Sequence, residues 1–322
     1  MRKALADTLT SLAEKDPSIV FLTGDLGFQM FDEFGKRFSG RYINVGVAEA
    51  QMICAAAGMA LEGFRPFVYS IAPFATGRPF EHIKISIAYH GLPVTIIGAG
   101  GGYAYATNGP THHGADDIAL MSIIPGMTVM APGSPAELRE LLPQIMKLKG
   151  PAYIRIGKKG DPEYDADGPA IIGKARLLKS GEKIAIVSTG EMAPIALDAA
   201  KKLALAGINP VVYQMHTIKP LDTVFLNEIS EKVDTILIVE EASPIGGLWS
   251  AVSSFMASCS RHPKIIRTGP PDEMILGNCS REELRQNYGF DTDAIVNICK
   301  KLTGLSDIGT ISEKEKSLQG QV

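Results

Sequence analysis

The sequence predicts an α/β protein made of two doubly wound, mainly parallel β/α domains. Three features of the 322-residue chain lead there. Short, continuous apolar runs recur, the pattern of strands buried on both faces of a parallel sheet. Longer stretches with helical patterning lie between them, as crossover connections require. A polar pause near the middle splits the pattern, and length alone predicts about two domains of roughly 150 residues.

The elements follow in order. Residues 19–23 (IVFLT), 65–69 (RPFVY), 93–97 (PVTII) and 127–130 (MTVM) read as buried strands. Helices are expected over 49–61, 78–89 and 134–148, and a further strand end at Asn44 leads into the first of them. The third opens Pro-Gly-Ser-Pro, with Ser134 as N-cap and Pro135 at the first helical position. The pause at 157–168 (GKKGDPEYDADG) is short, polar and rich in Gly, Pro and Asp, the composition of a linker. A second series follows: strands over 184–188, 210–214, 235–239 and 264–267, with helices over 193–206, 222–232, 248–258 and 293–302. The expected domains are therefore 1–157 and 171–303, joined by a linker at 158–170. The polar, uncapped stretch 304–322 is expected to fray.

Composition narrows the function classes. With 32 Lys+Arg against 35 Asp+Glu the formal net charge is −3, which removes the electrostatic argument for nucleic acid or an anionic membrane surface. Hydrophobic content of 45% and charged content of 21% are ordinary for a globular protein. The cysteines at 54, 259, 279 and 299 form no C-x-x-C pair, so neither a zinc site nor a disulfide framework is indicated, and free thiols fit the reducing cytoplasm. An acid at Asp7 speaks against a signal peptide, and no apolar run approaches the ~18 residues of a membrane span.

Open parallel sheets bind ligands beyond the carboxyl ends of their strands, and four segments there carry unusual residues. Asp25, in Gly24-Asp25-Leu26-Gly27, could contact a cation or a hydroxyl, although Asp and Gly are ordinary turn residues. Glu49 opens a helix, where a carboxylate suits the dipole. Its neighbours Val45, Val47, Ile53 and 55–57 are apolar, so it is expected in a poorly solvated place where it could exchange protons. In the aromatic run 67–74, Phe74 lies past the strand end and could stack on a heterocycle. The glycine-rich stretch 98–114 is neither GxGxxG nor a P-loop. Within it the adjacent His112 and His113 point apart in extended backbone and make poor joint metal ligands, so a single hydrogen-bonding or proton-shuttling His is the better reading.

In this order, Asp25-Leu26, Gly46-Val47-Ala48-Glu49, Asn108-Gly109-Pro110-Thr111-His112, Ile218-Lys219-Pro220-Leu221-Asp222 and Val239-Glu240-Glu241 with Gly246-Gly247 resemble the transketolase family. The likeness is to its pyrimidine-binding module followed by its C-terminal domain. It implies thiamine diphosphate as cofactor, with Glu49 as the glutamate that hydrogen-bonds N1′ of the aminopyrimidine and favours the imino tautomer that takes the C2 proton. The cofactor then serves as electron sink for transfer of a two-carbon ketol unit between sugar-type substrates. By the same resemblance Phe74 packs on the cofactor, Ile71 stands where an aromatic ring is more usual, and Asp25 lies near the thiazolium. Asn108, His112, His113 and Lys158 face a sugar or sugar-phosphate substrate.

Complete members of that family are about twice this length. Their N-terminal module holds the diphosphate and a Mg²⁺ or Ca²⁺ ion through Gly-Asp-Gly followed by Asn, a signature that Gly24-Asp25-Leu26-Gly27 lacks. The resemblance thus implies half of a split active site, with no metal ligands of its own. A separate N-terminal subunit would complete it, as an α2β2 assembly in which this chain also self-associates. Gly100, Asn108 and Lys158 replace the family's His, Asp and Arg, which removes a bidentate donor from the substrate end. His113-Gly114 with Asp117 leans toward deoxyxylulose-phosphate synthase, so a decarboxylating or acetoin-forming ligase subunit is the alternative enzyme, and a non-catalytic assembly subunit the alternative outside enzymes. The acids at 240–241 and the Gly pair at 246–247 read as turn chemistry, packing and subunit contact.

Overall fold

The computed structural model describes residues 1–304 apart from Arg261 and Asn278; the tail expected over 304–322 therefore lies, beyond Gly304, outside the described residues. Among the described residues twelve strands form two sheets: β1 Ile19–Thr23, β2 Tyr42–Asn44, β3 Arg65–Ile71, β4 Thr95–Ala99, β5 Thr128–Met130, β6 Ala152–Ile156, β7 Arg176–Lys179, β8 Lys183–Ser188, β9 Val211–Gln214, β10 Thr217–Lys219, β11 Val233–Val239 and β12 Lys264–Thr268. The first sheet has the order β10-β5-β6-β4-β3-β1-β2 and the second β12-β11-β8-β9-β7. All pairings are parallel except β10 with β5 and β7 with β9.

The period-2 geometry of a strand explains the continuous apolar runs. Along β1, Val20 and Leu22 enter one core while Ile19 and Phe21 enter another on the opposite face. In β8, Ala185 and Val187 join the first of these cores, whereas Ile184 and Ile186 pack into a third. One apolar core thus runs from the first sheet into the second. Each fully buried large side chain in it contributes about 1.5–3 kcal/mol.

Helix Glu49–Leu61 has the expected limits. Helix Pro135–Ile145 has the expected cap, Ser134 Oγ accepting from the Glu137 N–H at 3.2 Å. The single helix expected over 78–89 is not formed. Pro79 has no N–H to give an earlier turn, so the helix begins only after it, as a short turn Phe80–His82 that widens into the π-type segment Ile83–Ala88. Elements the apolar-run reading passed over include helix Arg2–Lys15, whose Leu5, Leu9 and Ala13 repeat every four residues and are buried, helix Asp117–Ser122, helix Arg281–Asn287, strand β7, and strand β6, interrupted by a charge at Arg155. Strand β10 follows the second sheet's β9 in sequence yet joins the first sheet, where it covers the short edge strand β5. Among the described residues no helix is long and apolar enough to cross a membrane.

Candidate active site

In the first sheet β1 pairs with β2 on one side and β3 on the other, so the connection from β1 and that from β2 leave in opposite directions. Such a switch opens a crevice at the strand carboxyl ends. Gly24 and Asp25 follow β1, Glu49 follows β2, Ile71 ends β3 with Phe74 just beyond, the 100–114 loop follows β4, and Lys158 follows β6. One edge of the sheet therefore gathers all the candidates.

Gly46, at φ 71°, allows the turn out of β2 that a side chain would strain. Helix Glu49–Leu61 then starts with its acid in the first turn. Glu49 is only 2% exposed. Its Oε1 accepts from Ser70 Oγ at 3.0 Å and its Oε2 from Arg78 Nη1 at 2.9 Å. The expected burial is present, but the immediate partners are polar rather than aliphatic, because a buried carboxylate needs donors. Gly24 lies against the pair: a Cβ there would stand 3.4 Å from both Glu49 Oε1 and Ser70 Oγ.

From Glu49 a row of side chains runs toward Lys158. The Arg78 guanidinium carbon is 3.9 Å from the centre of the half-buried Phe74 ring, a cation–π contact. Phe74 meets the His112 ring edge-on with 5.0 Å between centroids, and His112 lies 6.0 Å from Tyr105. Lys158 Nζ sits 4.0 Å from the centre of the Tyr105 ring. Burial, with Arg78, His113 and Lys158 nearby, lowers the His112 pKa below its usual 6.5, so the ring is mainly neutral at pH 7. Burial, with Arg2 and Arg281, also lowers that of Lys158.

The remaining candidates are placed differently. Asp25 is exposed, with a left-handed φ of 59°, and is tied to the end of β2: Asn44 Nδ2 donates to its Oδ1 at 2.9 Å, and its N–H donates to Asn44 Oδ1 at 3.0 Å. Ile71 is buried at the end of β3. Asn108 is exposed near the tip of the loop. His113 turns away from His112, as neighbouring side chains do. It packs on Tyr103 at 4.8 Å and helps line a separate cavity of about 410 Å³ with Asp116, Ser243, Pro270 and Ile275. At Gly100 (φ 68°) a Cβ would run into the Tyr105 ring, so the aromatic ring fills the space a side chain would take.

Sequence reasoning missed Ser70, Arg78 and Tyr105. Ser70 left no distinct signal, because a serine beside Tyr69 near the end of a buried strand is unremarkable by itself. Arg78 was hidden inside the expected helix. Among the described residues no group of three or more His, Cys, Asp or Glu is placed to hold a metal ion. The arrangement can present a buried carboxylate and a ring face together to a flat, cationic, hydrogen-bonding group, as it already does to the Arg78 guanidinium.

Comparison with known proteins gives the following. Residues 1–160 match the family description "Transketolase, pyrimidine binding domain", and residues 173–295 match "Transketolase, C-terminal domain". The chain is 36% identical over 306 residues to the 6-deoxy-6-sulfo-D-fructose transketolase subunit SqwH of Clostridium sp. (strain MSTE9), covering 94% of each chain. It is 36% identical over 300 residues to a putative transketolase C-terminal section of Methanocaldococcus jannaschii, covering 92% of this chain and 93% of that one. A solved structure described as a split gene transketolase, inactive beta4 tetramer, superposes with a TM-score of 0.84 at 34% identity, covering 95% of this chain and 98% of the other.

Proposed function

Because the chain belongs to the transketolase family, we propose that it is the C-terminal subunit of a two-chain, thiamine-diphosphate-dependent transketolase that moves a two-carbon ketol unit between sugar-type substrates. The observation that carries this reading is Glu49: a carboxylate 2% exposed, at the strand switch, with a half-buried aromatic ring adjoining its partner Arg78. Cofactor and residues fit, since an aminopyrimidine is flat, basic and hydrogen-bonding like the guanidinium now held there. Bound, thiamine diphosphate would supply a carbanion equivalent and an electron sink.

On this reading Glu49 hydrogen-bonds the ring nitrogen N1′, and Ser70 fixes the carboxyl's orientation. Phe74 and Ile71 wall the pyrimidine from water, and Asp25 lies toward the thiazolium. His112, neutral at pH 7, holds or moves a proton at the substrate oxygen, with Asn108 and His113 on the same loop. Lys158 on the Tyr105 ring offers a point charge to the far end of the substrate, in place of a bidentate fork.

The diphosphate and its Mg²⁺ or Ca²⁺ are assigned mainly to a separate N-terminal subunit in an α2β2 assembly. Support comes from two relatives, one named as a subunit and one as a C-terminal section, and from the related chain whose tetramer is described as inactive. The site's rim also leaves Phe28 and Val47 largely exposed, apolar surface of the kind a partner covers. Residues 1–157 are proposed as the cofactor-binding unit, with 158–170 linking it to 171–303.

The test is reconstitution with a candidate half-length partner. Neither chain alone should transfer glycolaldehyde units from a ketose, the mixture should, and the mixture should bind thiamine diphosphate. A mixture that binds no cofactor would overturn the reading.

A further inference from the structure

The loop that carries Asn108, His112 and His113 closes on itself at a narrow neck. Gly102 N–H donates to Gly114 O at 3.0 Å, and Gly114 N–H donates back to Gly102 O at 2.8 Å. Residues just after β11 in the second domain grip that neck, directly on one side and through Arg155 of β6 on the other. On one side, the Tyr103 N–H donates to Glu241 Oε1 at 2.7 Å. On the other, Arg155 Nη2 donates to Gly114 O at 3.0 Å while its Nη1 donates to the Glu241 carbonyl at 2.8 Å. One residue further along, the Ser243 N–H donates to Ala115 O at 2.7 Å.

The Glu241 carboxylate is built to hold its place. It is 3% exposed. Besides the Tyr103 N–H, it receives Arg281 Nε on Oε1 at 2.8 Å and Arg285 Nε on Oε2 at 2.6 Å. Arg281 is fixed in turn by a fork onto Glu191, at 2.8 and 3.0 Å. Burial alone would raise the carboxyl's pKa, but the two arginines and the Tyr103 N–H outweigh it and hold it at about 2. Gly102 is required at the neck: at φ 59° a Cβ would stand 2.5 Å from Glu241 Oε1. The adjacent acid shows what an ordinary packing role looks like. Glu240 caps the helix Leu248–Met256, accepting from the Leu248 N–H at 2.7 Å, and pairs with Arg267 Nε at 2.9 Å.

We propose that Glu241 is a positioning residue for the transferase reaction: from the C-terminal domain it clamps the neck of the 102–114 loop and so sets where His112 stands against Phe74 and the substrate. The proposal deepens the function proposed above and rests on His112 facing substrate. It gives the C-terminal domain a part in activity without a single atom at the reacting centre.

The clamp is tested by hydrogen exchange on the full-length chain. In Glu241→Gln, amides of residues 103–113 should exchange about tenfold faster, the scale of one buried charge-assisted hydrogen bond, while β1 and β3 keep their protection. Glu241→Asp, which keeps the charge but shortens the reach to Tyr103, should loosen the same loop with a smaller loss of Tm. In the reconstituted complex both variants should raise KM for the acceptor or lower kcat while thiamine diphosphate affinity is unchanged, and the His112 titration seen by NMR should shift. Unchanged loop exchange in folded Glu241→Gln would overturn the proposal, as would a uniform loss of protection over the whole chain, which is the mark of a purely structural role. If His112→Ala left turnover intact while the exchange effect held, the substrate role of His112 would fail instead.

Discussion

Arg78 binds Glu49 and covers Phe74 at once, its Nη1 2.9 Å from the carboxylate and its guanidinium carbon 3.9 Å from the ring centre. The arginine side chain is 47% exposed and the acid 2%, so a solvent-facing cation neutralises a buried anion. Arg78→Ala removes that cation and leaves Ser70 as the carboxylate's side-chain donor. Stability should fall by about 1–2 kcal/mol, less than for a fully buried pair because water screens the exposed partner. Urea unfolding checks this, and an unchanged midpoint would show that the pair contributes nothing.

His112 should matter to rate rather than to stability, being half-buried on a loop. His112→Ala is expected to lower kcat about a hundredfold, the scale of general acid–base help, with the fold and cofactor affinity intact. Because the neutral ring dominates above pH 6.5, the acid limb of the wild-type pH–rate profile should lie below that value and vanish in the variant.

Lys158→Ala should raise KM for an anionic acceptor about tenfold, the loss of one charge-assisted contact, and leave kcat nearly unchanged. An uncharged acceptor should show no such change. The comparison of the two acceptors, at fixed ionic strength, reports whether Lys158 meets a charged substrate end.

Stability should fall as the solution is acidified, in two windows. The His216 pKa is lowered from 6.5 to about 4 by burial and by Arg176, so the unfolded chain binds that proton first, and the contribution present above pH 6.5 is lost as pH falls toward 4. The Glu241 pKa is lowered from 4.5 to about 2, so its contribution is full above pH 4.5 and lost as pH falls through 2. Denaturation midpoints measured from pH 7 to pH 3 should decline, and Glu241→Gln should make the slope below 4.5 shallower.

Much of the fold was legible because parallel strands covered on both faces read as unbroken apolar runs, as in β1, β3 and β4. Where polarity interrupts the run, the signal fades. Strand β6 contains Arg155, paired with Asp117 only in the folded chain, and β10 is a three-residue strand in a different sheet from its sequence neighbours. Within the site, Glu49, Phe74 and His112 stood out by type and by place after strand ends. Arg78 and Ser70 did not, since an arginine near a helix and a serine in a strand are unremarkable until the buried carboxylate between them is seen. The clamp at Glu241 joins residues 138 apart in sequence, and no local pattern records a contact of that span.

The central claim, that the Glu49 carboxyl activates a bound thiamine ring, is tested most directly by C2–H exchange of thiamine diphosphate in deuterated buffer, followed by NMR in the complex reconstituted with its partner subunit. Glu49→Gln should slow that exchange by about 10²–10⁴-fold while the cofactor stays bound. Exchange as fast as in the unaltered complex would contradict the account.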